Sequence, residues 1–276
     1  MRRSWRLRTL QRRIVPLTQT IGIAVKLDYA MNAPAPVLMQ IGVAQIAGQR
    51  VVSSDCTTTP DIAHTVPGHD GLGERLWLEP ETRFEVTYTA TVEIDRQPAP
   101  LASLAADSLT ALPGEVLEYL FPSRYCPVDT MHAAAVDMFG HLSGGAAVEA
   151  VRDWIATHLA YVPGASHGGT TALDTFHARE GVCRDYAHLL IALVRGLGIP
   201  ARMASAYSPD VTPQDFHALA QVWLAGDWHF VDATGMADPA TTAIIGVGRD
   251  AADIAFLTIF GGAMLNEQGV EVSLVG

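Results

Sequence analysis

Three cysteines, Cys56, Cys126 and Cys183, are the residues of this chain best suited to forming a covalent bond with a substrate. An odd, widely spaced set makes no disulfide framework, and no C-x-x-C pair points to zinc. A free cysteine is by default a small buried hydrophobe, so its surroundings must decide its role. Cys56 sits in a threonine-rich β segment and Cys126 in a loop flanked by prolines. Cys183 stands in the run Gly-Val-Cys-Arg-Asp-Tyr-Ala-His, residues 181–188. There a glycine and a short loop place it in the first turn of a long helix. Unpaired N–H groups and the helix dipole favour a thiolate at that position and offer a site for an oxyanion.

A cysteine nucleophile needs a base, and the base needs an orienting partner. His217 heads one strand-like run and Asp232 ends the next, with Ala225-Gly226 between them as the turn. A two- or four-residue loop sets Leu224 opposite Asp227 and residue 219 opposite Asp232. His217 then lies on the same face as Asp232, on its diagonal, within side-chain reach. A three-residue loop would break that parity. The hairpin supports a His–Asp pair without proving one.

The elements that must hold these residues fall into two styles. From residue 17 to 95 the chain reads as β structure, clearest at Phe84, Val86, Tyr88, Ala90, Val92 and Ile94, which alternate with Glu85, Thr87, Thr89, Thr91 and Glu93. Weaker alternation covers 21–29 and 37–47, and 51–59 is a further strand candidate. Several short strands separated by turn signals predict a small β-sandwich. A linker-like, proline-marked stretch begins at Pro98 and runs to Pro122. Helical spacing takes over at Val148, Val151, Ile155 and Leu159, and a short helical segment covers 174–180. Leu189, Leu190, Leu193, Val194 and Leu197 form an apolar stripe on the helix behind Cys183, which Gly198-Ile199-Pro200 ends. Strands are expected at 201–207, 218–224 and 228–233.

Four segments together carry a family resemblance: the run at 181–188, Gly-Ile-Pro-Ala-Arg at 198–202, Asp-Phe-His-Ala at 215–218, and Trp-His-Phe-Val-Asp-Ala-Thr-Gly at 228–235. They resemble the core of bacterial transglutaminase-like cysteine enzymes. Residues 119–129 and 247–253 look like members with an added N-terminal β domain. The resemblance implies an α+β fold with a papain-like catalytic core, in which Cys183 attacks an amide carbonyl, His217 is the general base and later acid, and Asp232 orients it. This chain has Leu219 and Gln221 where many relatives read Trp and Glu, and Arg184 after the cysteine where Gln is common. The division expected is a basic tail at 1–16, a β-sandwich at 17–112, a connecting segment at 113–144 and a transglutaminase-like catalytic domain at 145–276.

Composition narrows the partners. Of 276 residues, 49% are hydrophobic and 17% charged, which excludes intrinsic disorder. Six arginines lie in residues 1–13, read as a cap on the first strand or a wrongly chosen start. The rest carries −17 (12 basic against 29 acidic residues) and would repel nucleic acid. No apolar run approaches a membrane span, and a soluble, cytoplasmic protein is expected. Ten histidines form no metal-ligand pattern, so no metal and no cofactor is expected. The G-x-G-x-x-A match at 246–251 has too little chain after it for a nucleotide-binding unit and reads as a glycine turn beside the active site. Tyr161 is a candidate second oxyanion donor or a core tyrosine. The expected function is hydrolysis or acyl transfer on a peptide or protein amide through a thioester, with hydrolysis favoured. A catalytically silent binding module is the alternative, and a homo-oligomer is left open.

Overall fold

Alternation between apolar and polar residues builds β6 (Arg83–Ile94), whose Phe84, Val86, Tyr88, Val92 and Ile94 are buried while Glu85, Thr87 and Thr89 face outward. The computed structural model describes residues 18–275, so the arginine-rich start and its expected capping role lie outside the described residues. β6 pairs antiparallel with β1 (Gln19–Met31) and with β3 (Gln49–Thr59). A second set of short strands comprises β2 (Val37–Met39), β4 (His64–Pro67) and β5 (Glu74–Leu78). Of the alternation at 37–47, only the first three residues form a strand.

The helical region begins earlier than the sequence suggested. The segment 113–144, expected to be a connector, contains α1 (Gly114–Leu117) and the twelve-residue α2 (Val128–Phe139). Then follow α3 (Gly144–His158), β7 (Ala160–Tyr161), α4 (Ala172–Ala178), β8 (Glu180–Gly181) and α5 (Cys183–Gly196). A further four-stranded sheet is formed by β9 (Ala201–Tyr207), β10 (His217–Leu224), β11 (Asp227–Val231) and β12 (Ala243–Gly248), in the spatial order β11-β10-β9-β12. α5 is buried all round, rather than along one stripe, because helices pack on one side and β9 and β10 on the other. Its Arg195 is 3% exposed and is satisfied by the carbonyls of Ala201, Phe121 and Arg249.

The chain then returns to where it started. After α6 (Ala251–Ile254), β13 (Leu257–Ile259) pairs with β2 and β14 (Ala263–Leu274) pairs with β1. The sandwich is therefore two four-stranded sheets, β14-β1-β6-β3 and β13-β2-β5-β4, each holding one C-terminal strand. The expected catalytic unit running to residue 276 differs from this topology, since 257–274 extend the N-terminal sheets. The sandwich core also takes in Tyr207 of β9 and Ala243 and Ile245 of β12. Gln49 bonds both the N–H and the C=O of Ile244, and the Tyr207 hydroxyl donates to the Ile41 carbonyl. The architecture is α+β, with one apolar core bridging its two sheet systems. Among the described residues no helix is long and apolar enough to cross a membrane.

Candidate active site

Cys183 is the first residue of α5, as its position after a glycine and a short loop predicts. Val182 occupies the N-cap in an extended conformation (φ −116°, ψ −178°) and has no side-chain acceptor to offer. The cap is closed from the other side: Asp185 Oδ2 reaches back to accept the Val182 N–H at 2.9 Å. Asp185 is fully buried, and an added Cβ at Gly181 would come within 2.7 Å of its Cβ. Glycine at 181 is thus what lets the acid fold under the helix start. Arg184 donates to Asp185 and to the His167 carbonyl, so it braces this loop rather than the sulfur.

The hairpin obeys the expected parity. Leu224 pairs with Asp227 across the two-residue turn Ala225-Gly226, whose φ values of +52° and +80° suit a tight hairpin connection. Continued by one pair, that register sets residue 219 opposite Asp232 and puts His217 on its diagonal. His217 Nε2 lies 2.9 Å from Asp232 Oδ2, with both side chains almost fully buried. Asp232 also accepts the Thr234 N–H and hydroxyl on Oδ1 and the Ala237 N–H on Oδ2. With four donors on it the carboxylate is held in one orientation. Burial opposes its charge, but the bonds from His217 and Thr234 outweigh it, and its pKa is lowered.

Nδ1 is the His217 nitrogen left for Cys183. Burial disfavours the imidazolium; hydrogen bonds to Asp232 and Cys183, and the negative charge of both, overcome this and lift the His217 pKa to about 9. The structure thus brings together the three residues that the sequence singled out. Cys183 and His217 line one cleft of about 300 Å³, together with Tyr125, Ser205, Ala251 and Phe256. Cys126 is fully buried elsewhere, its thiol pushed up to about 12 by burial, and burial also raises the pKa of half-buried Cys56.

Tyr161 belongs to this site more closely than the sequence could say. The parallel pairing of β7 with β8 sets Tyr161 beside Gly181, two residues before the cysteine. Burial raises its hydroxyl pKa to about 12; negative charge on the Cys183 sulfur adds to this and the Cys183 backbone N–H opposes it. The hydroxyl therefore lies beside Cys183.

Tyr125 was missed as a cleft residue. Its N–H donates to Asp250 and its ring stacks on His188 at 5.0 Å. In the match at 246–251 the chain does bend, at Arg249-Asp250, but the glycines are not the turn: Gly246 and Gly248 lie in β12, where Gln40 and Asp253 approach too closely for a side chain. Ala251, just beyond, does reach the cleft.

The two departures at 219 and 221 are not among the residues that line the cleft. Leu219 is 2% exposed and packs among Ala204, Ala206, Ile244 and Val247. Gln221 accepts from Arg202 Nε at 2.9 Å, while Asp70 of the sandwich accepts from the same guanidinium at 3.1 Å.

A model of the transglutaminase-like superfamily matches residues 134–233, a span containing Cys183, His217 and Asp232. The fold is similar to the crystal structure of a Cytophaga hutchinsonii protein provisionally named a cysteine protease. The TM-score is 0.86 with 32% identity, covering 94% of this chain and 91% of that one. An uncharacterised protein of Mycobacterium leprae is 30% identical over 188 residues, 64% of this chain and 67% of its own length. One of Mycobacterium tuberculosis is 27% identical over 238 residues, 75% of each chain.

Proposed function

The chain belongs to the transglutaminase-like superfamily, and from that premise we propose that it is a thiol-dependent amide hydrolase acting through a Cys183–His217–Asp232 triad. The observation that carries the proposal is the buried His217–Asp232 pair, 2.9 Å apart, with His217 lining the same cleft as Cys183. A sulfur beside an imidazole that readily holds a proton is arranged for ion-pair nucleophilic catalysis.

The Cys183 sulfur attacks the carbonyl carbon of a peptide or carboxamide. The oxygen takes up the charge beside the Cys183 backbone N–H, with the Tyr161 hydroxyl as second donor. His217 gives its proton to the departing amine, and a thioester remains on the sulfur. Water then attacks the thioester, His217 takes a water proton, and the acid leaves as the thiolate re-forms. Asp232 fixes the ring so that Nδ1 meets the sulfur. An amine in place of water would give transamidation by the same steps. We favour water: the chain's one lysine, Lys26, sits on the sandwich in an ion pair with Glu267, so nothing here suggests self-crosslinking. Leu219 and Gln221, which depart from the residues of many relatives, are occupied in packing and in holding Arg202.

Trapping the intermediate is the test. Wild-type protein incubated with an activated peptide ester should gain the acyl mass on the Cys183 peptide, and Cys183→Ala should gain none. Repeating the reaction with added primary amine measures how the acyl group divides between acid and amide. Acylation at Cys56 or Cys126 with Cys183 untouched would sink the proposal.

A further inference from the structure

We infer that the cleft beside Cys183 receives a large apolar side chain of a peptide, next to the main-chain amide that is cleaved, and that the C-terminal crossover 251–257 sets its size. This rests on the thiol chemistry proposed above.

The cleft holds about 300 Å³, and its larger walls are Met203, Phe216, Ile254, Phe256 and Leu257. Apart from Cys183 and His217, the lining residues Ser205 and Arg184 and one carboxylate oxygen of Asp215 are already engaged. The Ser205 hydroxyl, on a buried residue, faces the Gly246 carbonyl at 3.4 Å. Asp215 Oδ1 accepts from the Phe216 N–H at 2.8 Å and from Gln268 Nε2 at 2.9 Å. Arg184 braces the loop before α5. A carboxamide or charge entering this space would lose water and find few free partners, whereas a leucine, methionine or phenylalanine would lose only unfavourable hydration. A glutamine presenting its own side-chain amide to the sulfur would bring two methylenes, too little to fill the cleft.

The wall is built from two distant segments. Phe216, just before β10, stacks on Phe256 with ring centroids 4.1 Å apart and planes 10° from parallel. Phe256 is fixed from the sandwich side, because its carbonyl accepts the Gln40 N–H at 2.9 Å and the next residue, Leu257, pairs with Met39 of β2. The sandwich thereby holds one side of the cleft in place. That gives the N-terminal domain a role in selecting substrate without contributing to the triad.

The experiment measures kcat/KM on a peptide series that varies only the residue on the acyl side of the cleaved bond: Ala, Leu, Met, Phe, Gln, Glu and Lys. Leu, Met or Phe should exceed Ala by at least roughly 10- to 200-fold, the discrimination a hydrophobic pocket draws from a single methylene, with the polar residues at or below Ala. Ala255→Trp, on an exposed residue that lines the cleft, should flatten the series. Leu257→Ala should move the preference toward the largest side chain. Iodoacetamide labelling of Cys183 is read in parallel, because that reagent is too small to need the pocket. Rapid labelling with a flat series, or with best turnover on a glutamine side-chain amide, overturns the pocket and leaves the thiol chemistry standing. Labelling of Cys183 no faster than of Cys56, with no peptide cleaved, overturns the chemistry and the pocket with it.

Discussion

Two histidines, both buried, are driven in opposite directions. His188, five residues after Cys183 on α5, is 0% exposed; His217 on β10 is 2% exposed. Burial dominates at His188 and pushes its pKa down to about 4, so the ring is neutral. Its Nε2 accepts the Ala251 N–H at 3.2 Å and its Nδ1 has no partner among the described residues. Asp250 lies close enough to pull the other way but makes no hydrogen bond to the ring among the described residues; its oxygens accept the N–H groups of Tyr125 and Ala252. His217 meets the same cost of burial and ends at about 9, because Asp232 bonds its ring directly and Cys183 adds a second favourable partner. What separates the two rings is a carboxylate aimed at one of them. Depth in the protein does not separate them.

The comparison is broken most severely by removing what His217 serves. Cys183→Ala should abolish acylation and turnover while urea unfolding stays cooperative; full turnover in that variant would end the mechanism. Asp232→Asn comes next. Loss of the aimed carboxylate should cut kcat by roughly ten-thousandfold, as loss of tautomer control does in comparable triads. The same change should drop the His217 pKa to its ordinary value or lower, which NMR titration of the ring would follow. A His217 that still titrated near 9 in Asp232→Asn would show that the carboxylate is not what distinguishes the two rings.

How far the site was legible depends on whether its signals were local. Gly181 and the helix start at Cys183 lie within a few residues of each other, and parity across a two-residue turn fixed His217 relative to Asp232. β6 was legible from its alternation alone. α2 carried a readable signal that was passed over: Val128, Met131, Ala135 and Phe139 recur at helical spacing and are all buried. The pairing of β1 with β14 was not legible, because Ile21 meets Leu274 across nearly the whole chain and either strand could have paired elsewhere. Tyr161 reached the site through a two-residue parallel pairing too short to leave a pattern. The opposite fates of His188 and His217 were hidden for the same reason. Each depends on whether a carboxylate from another part of the chain hydrogen-bonds the ring.

The pH dependence of activity sharpens the contrast from the His217 side. Its pKa is raised from 6.5 to about 9, so the imidazolium is present at neutral pH and lost above about 9. The kcat/KM profile should therefore fall on the alkaline side by about tenfold per pH unit beyond that point. The stability that the His217–Asp232 pair contributes runs the same way: fully present below 6.5, it fades as pH rises through about 9. An alkaline limb centred near 6.5 would show that the pair does not hold the proton.

The smallest effect tests the neutral ring. His188→Phe keeps a flat ring against Tyr125 and removes a buried N–H that has no partner, but it also leaves the Ala251 N–H without its acceptor. Those changes oppose each other, so stability at pH 7 should shift by no more than about 1 kcal/mol. At lower pH the two proteins should part. The His188 pKa is depressed from 6.5 to about 4, so below 6.5 the unfolded chain takes up a proton that the folded ring refuses. Stability from this group is complete above 6.5 and is lost as pH falls toward about 4. At pH 5 the wild type should have lost roughly 2 kcal/mol that the phenylalanine variant does not lose. Urea unfolding of both proteins at pH 7 and pH 5 measures the difference directly. An equal gap at the two pH values would mean that His188 accepts a proton as readily folded as unfolded. Burial would then not be what sets it apart from His217.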